Sequence, residues 1–233
     1  GHSKKPLRIF ILKLLLTGAS GFTGKHLHAA ASLAGWEVVP LKSNLRDQEG
    51  ISTELKRMGT LSGVIHLAGI SSPAHQPVED FHAINLGGTF NLLQSLDALE
   101  EKPLKVILCS SATVYGNVRE SPITEATPAR PANHYGASKY AMERLAQTFV
   151  DRLPILITRP FNYTGIGQSI DFLIPKLVQG FKAKKPSLVL GNIEVEREFN
   201  DVAAFCEHYL RLLQTPTESG DVLNLCSGRP YPI

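Results

Sequence analysis

The sequence predicts an α/β fold, a doubly wound parallel sheet followed by a smaller C-terminal lobe, and three observations carry that prediction. Short apolar runs such as "LLLTG", "GVIHLAG" and "KVILCSS" have the length and aliphatic content of strands buried on both faces. Longer stretches of helical periodicity separate them, so that strand and helix alternate along the chain. The first run ends in Gly18-x-x-Gly21-x-x-Gly24 and leads directly into a helix, the arrangement of a phosphate-binding turn.

In chain order, "LLLTG" is the first strand and residues 23–33 the first helix. "WEVVPL" is the second strand, residues 51–58 the second helix, and "GVIHLAG" the third strand. A long helical stretch covers about residues 78–99, residues 105–111 form the next strand, and a helix over 135–151 leads to the strand "ILITRP". Beyond Arg159 the pattern loosens. "RPFNYTGIGQS" reads as an irregular loop, "DFLIPKLVQGF" as a helix, "SLVL" as a short strand, and "NDVAAFCEHYLRLL" as a helix capped by Asn200. The chain thus divides into residues 1–160, mainly dinucleotide-binding, and 161–233, mainly a substrate lobe whose elements can return to the sheet. The proline-rich loop over 115–136 is long enough to be a functional rim.

At 233 residues, 43% hydrophobic and 19% charged, the chain can bury one ordinary core. A formal charge of +3 is scattered apart from "KAKK", so a nucleic-acid partner is not implied. Cys109, Cys206 and Cys226 lie too far apart for a disulfide framework or a zinc site, and no His-Glu-x-x-His spacing occurs. No metal is expected, and a reducing, cytoplasmic setting is. "KKPLRIFILKLLL" superficially resembles a secretory signal, but Lys13 interrupts the run, which also falls short of the roughly 20 apolar residues of a membrane span. Residues 1–3 read as an expression remnant.

In the glycine motif, Gly18 allows a tight turn, Gly21 lets backbone approach a pyrophosphate, and Gly24 lets helix and strand pack closely. A dinucleotide site usually places an acidic residue about 20 positions later to hold ribose hydroxyls. Here the second strand ends "VVPLKSN", with Lys42 and then Arg46, which favours a ribose 2′-phosphate and NADP over NAD; the alternative is a solvated lysine. Tyr135 and Lys139 stand four apart and share a helix face, so the ammonium is expected to lower the phenol pKa. Ser110, Ser111 and Thr113 follow a buried strand, where hydroxyls can face the cleft or simply form the turn. His66 is expected to pack or hydrogen-bond at a strand end.

In this order, "TGASGFTG", "HLAG", "NLGGT", "SSATVYG" and "YGASK" resemble the extended short-chain dehydrogenase/reductase family, which comprises nucleotide-sugar epimerases, reductases and dehydratases. The resemblance implies a Rossmann-type fold, NAD(H) or NADP(H) as cofactor, and Ser111, Tyr135 and Lys139 as the catalytic trio. It implies cofactor contacts from Gly18, Ser20, Gly21, Phe22, Thr23 and Gly24; from Lys42, Asn44 and Leu45; from Leu67, Ala68 and Gly69; and from Asn85 and Pro160. Substrate would meet Ser71, Ser72, Ser111, Thr113, Asn162 and Arg197, with Arg197 clamping a diphosphate and Asp201 holding its segment.

Family dehydratases carry an acidic residue two places after the catalytic hydroxyl; Thr113 stands there, so dehydration is disfavoured. The later segments look most like reductases acting on GDP-4-keto-6-deoxy-mannose. The alternatives are a nucleotide-sugar 4-epimerase with retained NAD, and a dinucleotide-binding regulator without turnover. The resemblance further implies a homodimer formed through apolar outer faces of the helices bearing Asn85 and Tyr135, and relatives continue past the position of Ile233.

Overall fold

The computed structural model describes residues 12–71 and 77–233. Six strands form one parallel sheet: β1 (Lys13–Thr17), β2 (Glu37–Pro40), β3 (Gly63–His66), β4 (Val106–Cys109), β5 (Ile155–Pro160) and a late strand, β9 (Asp221–Leu225). Their order is β2-β1-β3-β4-β5-β9. The chain leaves β1 toward one edge and returns on the other side to build β3, so the connections diverge between these two strands and open a crevice at their carboxyl ends.

Alternation along the strands divides the core in two. Leu15, Val64, Val106, Leu108, Ile155 and Ile157 face α2 (Gln48–Met58), α3 (Thr89–Asp97) and α4 (His134–Ala146). Leu14, Leu16, Ile65, Ile107 and Leu156 face α1 (Phe22–Leu33) and α6 (Val202–Gln214). Because successive side chains point to opposite faces, an unbroken apolar run is what a sheet covered on both sides requires. The four inner strands are buried almost throughout, whereas β2 and β9, at the edges, are only half-buried.

Several elements depart from the sequence-based expectation. The long stretch before β4 is a π-helical segment, Phe81–Gly88, continuing into α3. "SLVL" forms no strand. Asn200 does not cap α6; it lies in the two-residue strand β8 (Asn200–Asp201), and Asp201 caps the helix by accepting from the Ala203 amide at 2.7 Å. After Pro160 the chain forms β6 (Tyr163–Thr164), which pairs with β8, then α5 (Leu173–Lys182). β7 (Glu196–Arg197) pairs with β10 (Tyr231–Pro232). The outer faces expected to be apolar are mixed: Phe90 and Ala83 are exposed, but so are His82, His134 and Arg144. Among the described residues no helix is long and apolar enough to cross a membrane.

Leu108 is fully buried at the centre of the sheet. Leu108→Ala is expected to lower stability by about 2–5 kcal/mol, seen as a lower urea midpoint with unchanged slope.

Candidate active site

The turn after β1 shows why its glycines are needed. Gly18 has φ +70°, in the left-handed region, and a Cβ there would lie 2.8 Å from the Ala68 amide nitrogen. A Cβ on Gly24 would run into the Gly18 carbonyl oxygen, so close packing of α1 on β1 admits no side chain. Gly21, the N-cap of α1, is exposed and its Cβ would meet only the Gly18 oxygen at 3.3 Å. Protein packing thus accounts for the outer glycines and leaves the middle one open to an approaching ligand. Exposed Ser20 and Gly21 precede the free amides of the α1 N-terminus, a donor set suited to a pyrophosphate. Phe22 and Thr23 occupy the first turn beside them.

Behind this turn, a chain of buried hydrogen bonds holds the crevice. Thr89 donates to the Asn85 carbonyl at 2.7 Å, so its oxygen accepts from His66 Nε2 at 2.8 Å. His66 Nδ1 therefore accepts from the Thr17 hydroxyl at 2.7 Å, and Thr17 in turn accepts from the Ala68 amide at 3.0 Å. Burial, with the nearby Lys139 charge, pushes the His66 pKa down to about 3, as the neutral tautomer of this network demands. Asn85 bonds both backbone groups of Ile70, at 2.8 and 3.1 Å, and donates to Ser138 on α4 at 3.0 Å. Its side chain is thereby committed to holding the loop carrying Leu67, Ala68, Gly69 and Ser71 rather than aimed into the cleft. Ser72 lies outside the described residues.

Ser111, Tyr135 and Lys139 converge beyond the carboxyl ends of β3 and β4. Ser111 begins the 3₁₀ turn Ala112–Tyr115; its oxygen accepts from the Thr113 amide at 3.2 Å and the Thr113 hydroxyl at 2.9 Å, leaving its own proton for the hydrogen bond with Tyr135. Asn133 caps α4 through the Gly136 amide at 2.8 Å and so sets the start of the helix that carries Tyr135. Lys139 is buried and donates to the Cys109 carbonyl at 2.7 Å. Burial lowers its pKa, while Cys109 and Glu143 act in the opposite direction.

The expected lowering of the Tyr135 pKa does not occur in this structure. Burial pushes it up, Cys109 adds to the rise, and a hydrogen bond with Ser111 offsets only part. Desolvation of a phenolate outweighs the ammonium one turn away, which is directed at a carbonyl. The phenol is consequently held protonated, as a donor.

At the end of β2 a carboxylate does appear, but it comes from α2. Glu54 accepts from the Lys42 and Ser43 amides at 2.9 and 2.8 Å and from the Ser43 hydroxyl at 2.6 Å. These bonds hold its pKa low against the opposing effect of burial. Lys42 is exposed, and Arg46 is paired with Asp80. Asn44 caps its own turn through the Arg46 amide at 2.9 Å, while the Leu45 side chain is buried in the core against Gly88.

Of the residues expected later in the chain, Pro160, read as a cofactor contact, is buried at the end of β5, and Asn162, read as a substrate contact, is exposed, its carbonyl holding Asn200 at 2.9 Å. Arg197 is exposed and donates to the neighbouring Glu196 carbonyl; no ion pair with a glutamate forms among the described residues. Three participants escape sequence reading because only folding brings them together. Tyr163 bonds Thr23 at 2.8 Å and stacks on Phe205 at 4.2 Å, joining the phosphate turn to the lobe. Thr17 anchors the crevice, and Glu143 pairs with Arg159 beneath the trio.

A histidine neutral when folded and titrating near 6.5 when unfolded contributes stability above that pH and loses it as pH falls toward about 3. The urea midpoint is expected to decline between about pH 6.5 and 5, above the range of ordinary carboxylates. His66→Asn should flatten that decline.

The epimerase family model, described as "NAD dependent epimerase/dehydratase family", matches residues 14–226. A GDP-6-deoxy-D-talose 4-dehydrogenase of Aggregatibacter actinomycetemcomitans is 32% identical over 228 residues, covering 95% of this chain and 76% of that protein. A GDP-6-deoxy-D-mannose reductase of Pseudomonas aeruginosa is 36% identical over 239 residues, with 95% and 76% covered. The structure of RMD from Pseudomonas aeruginosa complexed with NADPH superposes with a TM-score of 0.84 at 34% identity, covering 95% of this chain and 78% of that one. With a turn that admits a pyrophosphate and a match along most of its length, the chain belongs to the NAD dependent epimerase/dehydratase family of nicotinamide-dependent enzymes.

Proposed function

We propose that this protein is an NAD(P)-dependent nucleotide-sugar oxidoreductase that reduces the 4-keto group of a GDP-4-keto-6-deoxy-hexose. The observation carrying this reading is the convergence of Ser111, Tyr135 and Lys139 at the mouth of the crevice, with the phenol held protonated. The two GDP-6-deoxy-hexose enzymes among the relatives support the substrate class. Thr113, where a dehydratase has an acid, supports reduction over elimination.

A bound nicotinamide supplies the hydride. Ser111, turning its proton from Tyr135 to the sugar carbonyl oxygen, orients that oxygen, and Tyr135 delivers the proton that the oxygen needs once reduced. Lys139 would leave the Cys109 carbonyl for the nicotinamide ribose; its positive charge then favours the phenolate that remains after proton transfer. Gly18, Ser20, Gly21 and the first turn of α1 would hold the pyrophosphate, and Lys42 a ribose 2′-phosphate. Asn162 and Arg197, both exposed, would meet the sugar diphosphate. Assembly as a homodimer through the surface bearing Phe90 and His134 belongs to the same proposal.

The test is consumption of NADPH or NADH, followed by nicotinamide absorbance, with GDP-4-keto-6-deoxy-mannose generated in the same vessel. Consumption dependent on the keto sugar is expected. A tightly retained cofactor that is not consumed would favour the epimerase reading, and binding with no turnover of any nucleotide sugar the regulatory one. Tyr135→Phe should reduce turnover by about 10²–10⁴-fold with cofactor affinity nearly intact. Lys42→Glu should weaken NADPH by roughly tenfold, about 1.4 kcal/mol, and NADH much less; equal effects would remove the 2′-phosphate assignment.

A further inference from the structure

The helix that carries Tyr135 and Lys139 carries a third buried polar residue in phase with them. Glu143 lies one turn beyond Lys139 and is 3% exposed. Its carboxylate is gripped from β5, where Arg159 Nε donates to Oε1 at 2.9 Å and Nη2 to Oε2 at 2.6 Å. The Ser110 hydroxyl adds a third bond to Oε1 at 2.5 Å. Arg159 Nη1 donates to the Tyr115 hydroxyl at 2.9 Å, and the guanidinium lies 4.8 Å from the centre of the Tyr115 ring. Tyr115 donates in turn to Asn224 on β9 at 2.7 Å, whose amide donates to Glu125 of the proline-rich rim at 2.7 Å.

Ser110, Tyr115, Glu143 and Arg159 are near neighbours in sequence of site residues. Ser110 precedes Ser111, Tyr115 closes the turn that Ser111 begins, and Arg159 precedes Pro160 and Asn162. Elsewhere α4 meets the sheet through the single Lys139–Cys109 bond and through Met142 and Ala146, whose apolar contacts tolerate small rotations of a helix. A bidentate guanidinium–carboxylate pair does not, because two parallel bonds define direction as well as distance. Folding strength alone is a poor reason for such a pair, since well-packed apolar residues serve as well or better.

We propose that Glu143 and Arg159 are positioning residues, which fix the rotation and height of α4 so that Tyr135 and Lys139 reach the carboxyl ends of β3 and β4 beside Ser111. This rests on the reading of those three as the reacting groups. The titratable groups facing Lys139 agree: the Cys109 thiol on β4 is pushed up by burial, His66 on β3 is neutral, and Glu143 is the carboxylate that opposes the loss of the lysine's charge.

The test replaces the pair by Glu143→Met with Arg159→Met, and also makes Glu143→Gln alone. In the double variant the unfolding midpoint should match or exceed that of the unaltered protein. Affinity for NADPH, or for NADH if that is the coenzyme, should fall by about fivefold or more while affinity for ADP, which has no nicotinamide ribose, is unchanged. Turnover should fall by roughly tenfold or more. A purely structural pair would not separate the two affinities. Should the double variant fail to fold, the same split in Glu143→Gln decides the matter. Unaltered NADPH affinity and turnover in a folded variant would overturn the proposal. If the unaltered protein turned over no GDP-keto sugar, the substrate assignment would fall, and the NADPH-to-ADP ratio would still decide the role of the pair.

Discussion

At the crevice between β1 and β3, two strands with oppositely running connections are tied at their carboxyl ends by one neutral histidine. His66 is bonded on both sides, to Thr17 at the end of β1 and to Thr89 at the start of α3. A continuous chain of bonds around the crevice runs from this link. Thr17 positions Ala68 against the Gly18 turn, and Asn85, next in the chain of bonds, holds Ile70 and reaches across to Ser138 on α4. A buried donor or acceptor left unpaired costs about 1–3 kcal/mol, so losing one member disturbs several elements together.

The same economy governs the charged groups. Lys139, Glu143 and Arg159 are each at least nine-tenths buried, and each is matched to a partner before any ligand is considered. Burial alone lowers the lysine pKa and raises that of the tyrosine. The carboxylate on the same helix opposes the first of these effects, and the hydroxyl of Ser111 opposes part of the second. Each of these groups is therefore hydrogen-bonded in surroundings where such bonds are strong.

The lobe after Pro160 joins this framework through contacts of a different kind. Tyr163, stacked against Phe205 and bonded to Thr23, sets the loop after β5 directly on the helix that begins at the glycine turn. Val202 at the head of α6 packs against Gly165 of that loop, which has no room for a side chain. The two halves of the cleft thus share α1 as a common support.

Much of this was legible in the sequence because it depends on local rules. Unbroken aliphatic runs declare strands covered on both faces, three glycines at fixed spacing declare the turn, and Tyr135 with Lys139 declare a shared helix face. What the sequence could not show depends on distant residues meeting. Asp201 rather than its neighbour caps α6 because Asn200 is drawn into pairing with Asn162. "SLVL" has the composition of a strand but finds no partner edge. A carboxylate reaches the end of β2 from Glu54, a dozen residues away and invisible to a reading of the strand alone. The direction of the Tyr135 shift is the plainest case: spacing put an ammonium nearby, but desolvation, a property of the assembled core, outweighed it. Periodicity and backbone geometry act within a few residues and so are determined by the sequence itself. Burial, electrostatics and the pairing of Glu143 with Arg159 are decided only when the sheet brings distant segments together.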